Sequence, residues 1–105
     1  MSLSDQSVFK ALSDPTRREI LKILASGSCS AGEVASHFDI SKPSLSHHFS
    51  ILKAAELVRT RREAQTIIYS LNSSVLEDAT RMLMDIFAVG DEQVALQEVN
   101  HEAER

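Results

Sequence analysis

Residues 31–71 read AGEVASHFDISKPSLSHHFSILKAAELVRTRREAQTIIYSL, and the apolar spacing within them changes once. Up to about residue 56 the period is helical. Ser30-Ala31-Gly32-Glu33 has the S-x-x-E form of a capping box, followed by Val34, Ala35 and Phe38. Asp39-Ile40-Ser41 makes a tight connection, with Ser41 placed to cap the next helix. That helix carries Leu45, Phe49 and Leu52 at i, i+4 and i+7. From Val58 the helical spacing stops. Thr66-Ile67-Ile68-Tyr69-Ser70-Leu71 is β-branched and aromatic, and the spacing predicts a hairpin: Arg59 to Arg62, a short turn near Glu63-Ala64, then Gln65 to Leu71.

Upstream, Val8, Phe9 and Leu12 fit a short first helix. Asp14 caps a second that opens on Pro15, buries Ile20, Ile23 and Leu24, and ends at Gly27. Downstream, Ser73 or Ser74 caps a last long helix bearing Val75, Leu76, Ala79, Met82, Leu83, Ile86 and Phe87, with Gly90 as its end. The domain runs over residues 1–90. Residues 91–105 form an acidic C-terminal tail or a further short helix around Val94, Leu96 and Val99. The order is four helices, a hairpin and a helix: mainly α with a β-hairpin wing, the pattern of a winged helix-turn-helix. The second of two tightly joined helices in that pattern enters the major groove of DNA.

On a wheel of about 100° per residue, Leu45, Phe49 and Leu52 share one side of residues 42–55. His48 and Ala55 flank them. Pro43, Ser46, His47, Ser50 and Lys53 lie opposite, with Lys42 and Ser44 at the margins and Ile51 outside the main apolar stripe. The outward face holds no acid. Its small hydroxyls allow close approach to base edges, where Ser donates or accepts and His donates to guanine N7 or phosphate. A solvated face without a partner is the competing reading. Charge decides against it. The net charge is −4, yet residues 72–105 hold two basic and eight acidic side chains, whereas residues 42–65 hold five basic and two acidic. Arginines also guard edge strands against aggregation, but that role does not favour three of one sign, Arg59, Arg61 and Arg62.

Other chemistry has little support. At 105 residues, 43% hydrophobic and 25% charged, the composition is that of one globular domain. No stretch nears the ~20 apolar residues of a membrane span. The last helix has an acidic polar face (Glu77, Asp78, Asp85) where a membrane-surface helix has a basic one. No basic segment followed by an apolar run opens the chain, so a secretory signal is not expected and a cytoplasmic location is. One cysteine excludes an intrachain disulfide and a CxxC zinc site. Cys29 as a redox-sensing thiol is an alternative to an ordinary surface thiol. Among His37, His47, His48 and His101, the adjacent pair diverges on a helix, so no metal site and no cofactor are expected. With no G-x-S-x-G, no Gly-rich phosphate loop and three glycines, no catalytic site is expected either. A second functional class stays open: an interaction module acting through the acidic C-terminal region.

Asp14-Pro15-Thr16-Arg17, residues 31–58 and RTRREAQTIIYSL, in that order, resemble the ArsR/SmtB winged-helix repressors of bacteria over residues 6–89; SKPSLSHHFSILK is most similar to their SdpR-like autorepressor branch. The resemblance implies a homodimeric repressor on a palindromic operator in double-stranded DNA, dimerising through its first and last helices and reading DNA with residues 41–54. The expected interface is Val8, Phe9, Leu12, Val75, Leu76, Ala79, Met82, Leu83, Ile86 and Phe87. Phosphate contacts are expected from Arg17, Arg18, Lys42, Arg61 and Arg62, base contacts from Ser44, Ser46, His47 and Ser50, and a further DNA contact from Gln65. Departures accompany the likeness. Where many members sense metal through paired cysteines, the matching positions are Ser30 and Gly32, with Cys29 beside them. The last helix over residues 74–89 lacks histidine. The hairpin tip has Ala64 where glycine is common. Release from DNA is then expected to come from a small inducer or a sequestering protein, including a membrane-bound one.

Overall fold

The computed structural model describes the backbone of residues 3–104 and the side chains of residues 6–88. The elements follow in the order α1 (Leu3–Leu12), α2 (Pro15–Ala25), β1 (Cys29–Ser30), α3 (Ala31–Ala35), α4 (Lys42–Ala54), β2 (Val58–Glu63), β3 (Thr66–Leu71) and α5 (Ser73–Glu104). Three helices start where a side-chain oxygen meets an orphan backbone N–H. Asp14 accepts from the N–H of Arg17 at 3.0 Å, with Pro15 opening α2. Ser30 and Glu33 close both bonds of the capping box, at 3.1 and 2.8 Å. Ser41 accepts from the N–H of Ser44 at 3.2 Å.

The end of α4 is a Schellman turn made without glycine. The N–H of Glu56 donates to the Lys53 carbonyl at 2.9 Å, and that of Leu57 to the Leu52 carbonyl at 3.0 Å. Glu56 takes the left-handed conformation, φ 60°, that this motif requires. Leu52 and Leu57, the apolar pair across the turn, are both fully buried. Asn72 then ties this turn to the start of α5: its Nδ2 donates to the Glu56 carbonyl at 2.9 Å and its N–H to the Leu57 carbonyl at 2.8 Å.

The sheet has the order β1-β3-β2, antiparallel throughout. The hairpin registers Val58 with Leu71, Thr60 with Tyr69, Arg62 with Ile67 and Glu63 with Thr66, leaving Ala64 and Gln65 as a two-residue turn. Ala64 has φ 56°, so the turn needs at its first residue the conformation glycine supplies freely. β1 is absent from the sequence reading. It is two residues long and owes its existence to pairing with Ile68 and Tyr69, not to its own pattern. Two expectations at α5 also change. Ser73 is already helical, so the flanking position belongs to Asn72. The helix continues through Gly90 to Glu104, where Gly90 was expected to end it. A single interior glycine costs about 1 kcal/mol relative to alanine, which a long helix tolerates.

The core gathers Val8 and Ala11 from α1, Ile20, Leu21 and Leu24 from α2, Val34 from α3, Leu45, Phe49 and Leu52 from α4, and Val58 from β2. Among the described residues no helix is long and apolar enough to cross a membrane.

Candidate nucleic-acid interface

α4 turns Leu45, Phe49 and Leu52 into the core. That leaves Lys42, Pro43, Ser44, Ser46, His47, Ser50 and Lys53 exposed, and no acidic residue lies between Lys42 and Ala54. Ile51, misplaced by the wheel, is half-buried against the core. The hydroxyl of Ser41 donates to that of Ser44 at 3.1 Å, so Ser44 is partly engaged at the helix start. Ser46, His47 and Ser50 follow at i, i+1 and i+4 on the outward side.

The wing is fixed to this helix by an aromatic stack. Phe49 of α4 and Tyr69 of β3 lie with ring centroids 4.0 Å apart and planes 21° from parallel. Such a pair is worth about 0.5–1.5 kcal/mol beyond its buried area. Their contact depends on the hairpin register, which sequence spacing alone does not reveal. Alternation along β2 puts Thr60 and Arg62 on the Tyr69 face, and Arg59, Arg61 and Glu63 on the other. The two wing arginines therefore differ. Arg61 donates from Nε and Nη2 to Glu63 Oε2, at 2.9 and 2.5 Å. Arg62 is exposed, opposite Ile67, and Gln65 is exposed in the turn.

The arginines of α2 depart from expectation. Arg17 is only 8% exposed. Its Nε donates to the Ala11 carbonyl at 2.8 Å, its Nη2 to the Lys10 carbonyl at 3.1 Å, and its Nη1 meets His48 Nδ1 at 3.2 Å. It is a clamp on the end of α1 and not a surface cation waiting for phosphate. Arg18 is exposed, but its Nη1 donates to the Leu12 carbonyl at 2.8 Å. Arg17 and Arg18 thus satisfy the Ala11 and Leu12 carbonyls at the end of α1, while the Lys10 carbonyl also accepts from the N–H and hydroxyl of Ser13. The N–H of Arg17, aided by its guanidinium charge against the opposing effect of burial, holds the Asp14 carboxyl below its ordinary pKa. The Ser30 N–H does the same for Glu33.

The residues expected at a subunit interface, on α1 and α5, divide by burial. Val8 and Ala79 are buried in the chain's own core, which leaves them little surface for a partner. Phe9, Leu12, Val75, Leu76 and Met82 are half-buried. Further along, Leu83, Ile86 at 67% and Phe87 at 63% stand exposed, joined by Met84. Cys29 is half-exposed, and its Sγ lies 3.5 Å from the Gly27 carbonyl. Among the described residues no three His, Cys, Asp or Glu side chains converge as a metal site would require.

Residues 14–60 match the family model of the arsR family of bacterial regulatory proteins. The transcriptional repressor SdpR of Bacillus subtilis is 52% identical over 85 residues, which span 81% of this chain and 94% of that protein. An ArsR-like transcriptional regulator from a Rhodococcus species has a solved structure similar to this one: TM-score 0.76, 34% identity, 88% of this chain and 87% of that one. A possible ArsR-family regulator from Mycobacterium bovis, solved as a homodimeric winged helix-turn-helix DNA-binding domain, overlays with TM-score 0.63 and 28% identity, covering 87% of this chain and 82% of that one. The chain belongs to the arsR family of bacterial regulatory proteins and carries the family's DNA-binding winged helix-turn-helix.

Proposed function

We propose that this protein is a homodimeric, sequence-specific transcriptional repressor that occupies a palindromic operator in double-stranded DNA, with α4 of each subunit in a major groove. The carrying observation is the exposed, acid-free face of α4 beside a cationic wing that the Phe49–Tyr69 stack holds to it. Ser44, Ser46, His47 and Ser50 read base edges; Lys42, Arg62 and Arg61 contact phosphates, with Gln65 at the wing tip. Arg61 first gives up its pairing with Glu63. Two such units present their reading helices about 34 Å apart. Dimerisation covers Leu83, Ile86 and Phe87, which the single chain leaves in water. The Mycobacterium bovis neighbour's homodimeric state and the Bacillus subtilis relative's name as a repressor support this assembly and this role.

The switch is metal-independent in this reading, because Ser30 and Gly32 stand where metal-sensing relatives carry cysteines and no intrachain ligand set converges among the described residues. The operator lies upstream of the protein's own coding region, as the resemblance to the autorepressor branch implies. Release follows from a small inducer or a sequestering protein, and the protein acts in the cytoplasm.

A mobility-shift titration on the DNA upstream of the protein's own coding region, paired with sedimentation of the free protein, tests the proposal. A dimer that retards this DNA and prefers it over random duplex is expected. Replacing His47 with Ala relaxes that preference at particular base pairs. A monomer, or no retardation at low salt, would favour instead a protein-interaction role for the acidic C-terminal region.

A further inference from the structure

Arg17 and His48 are 31 positions apart, yet they join three helices. The Arg17 guanidinium is anchored on the Lys10 and Ala11 carbonyls at the end of α1 while its backbone belongs to α2. Its Nη1 lies 3.2 Å from Nδ1 of His48 on α4. A guanidinium has donors only, so Nδ1 must accept. That requires a neutral His48 ring with its proton on Nε2. Asp14 Oδ2 lies 3.9 Å from the same nitrogen, beyond a hydrogen bond, and already accepts from the N–H of Arg17. The His48 side chain is 17% exposed and adjoins the outward-facing His47, whose ring centroid is 6.1 Å away. Holding the His48 ring therefore holds the rotation of α4 about its own axis, and with it the aim of Ser46, His47 and Ser50.

We propose that Arg17 and His48 are positioning residues for DNA reading. The clamp on α1 grips the recognition helix through a neutral imidazole and links the helix expected at the subunit interface to the face that meets bases. The inference rests on the DNA-reading role proposed above.

Its first test needs no DNA. Long-range proton–nitrogen correlation spectra of the full-length protein at neutral pH should show His48 with a bare Nδ1 and a protonated Nε2. A proton on Nδ1, turned toward Asp14, would overturn the arrangement. The second test compares specific and random duplex. His48→Leu removes the acceptor, and the ratio of specific to random affinity should fall roughly tenfold, a usual size for a displaced support, while random-duplex affinity holds. His48→Asn places an amide oxygen near the Nδ1 position and should restore most of the ratio, which simple loss of packing would not predict. An unchanged ratio in His48→Leu overturns the positioning role and leaves DNA reading intact. A wild-type protein that binds neither duplex overturns both.

Discussion

The arginine pair at the head of α2 and the arginine pair on the wing carry the same charge and are put to opposite uses. Arg17 and Arg18 reach back six residues each to the carbonyls of Ala11 and Leu12. Arg61 and Arg62 stand at the tip of a hairpin, one leaning on Glu63 and the other exposed. The difference lies in what each backbone position offers. The end of a helix supplies unpaired carbonyls within reach of the next helix's first turn, whereas a strand aims its side chains above and below the sheet, away from its backbone groups, and leaves them to the solvent or a ligand. A count of basic residues therefore overstates the charge available to DNA. In the proposed reading the phosphate contacts come from Lys42 and the wing, not from α2.

The largest expected effect comes from breaking the α2 side of this contrast. Arg17→Ala should cost about 3 kcal/mol, since it removes a buried side chain that bridges three helices and leaves the Ala11 carbonyl and His48 without their donor, while the Lys10 carbonyl keeps the Ser13 N–H and hydroxyl. For a domain this size that corresponds to a fall in Tm of roughly 15 °C by calorimetry. An unchanged Tm with weaker DNA binding would return Arg17 to the phosphate-contact role expected from the sequence. The wing should behave in the reverse manner. Arg61→Ala combined with Arg62→Ala should leave Tm in place, weaken binding to every duplex, and reduce the slope of log affinity against log salt by about one per lost phosphate contact. Arg62→Ala alone should carry most of that change, because Arg61 must first leave Glu63.

A smaller effect follows from the carboxylates that cap α2 and α3. Asp14 and Glu33 are both held below their ordinary pKa by backbone N–H donors. In the acid range the unfolded chain binds protons that the folded one resists, so stability rises with pH there. The contribution is complete above the usual carboxylate range and fades as pH falls below about 4. Asp14→Asn keeps a capping oxygen and should flatten this dependence in thermal melts taken across that window. The smallest effects belong to the two left-handed residues. Glu56→Gly and Ala64→Gly should each stabilise the fold by a few tenths to about 1 kcal/mol in chemical denaturation, because glycine adopts the native φ without a Cβ clash.

What the sequence disclosed follows the range of the interactions involved. Caps at Asp14, Ser30 and Ser41 act over three residues, so spacing alone reveals them. The hairpin shows in its β-branched run, and the core face of α4 in its period. Arg17 escaped because its fate depends on where α1 ends and on a histidine in another helix. β1 escaped because two residues have no pattern. The Schellman turn at Glu56 escaped because its usual marker, glycine, is missing, although the buried pair Leu52 and Leu57 was a signal of it. Gly90 misled because glycine marks helix ends only when the neighbouring residues also break the helix.

The proposed twofold groove-reading arrangement is tested most directly by hydroxyl-radical footprinting of the protein on the DNA flanking its own coding region. It predicts two related blocks of protection, with the reading helices centred about one helical turn apart and related by twofold symmetry in the sequence they cover. One isolated block without a symmetry mate, or uniform cleavage at saturating protein, would contradict it.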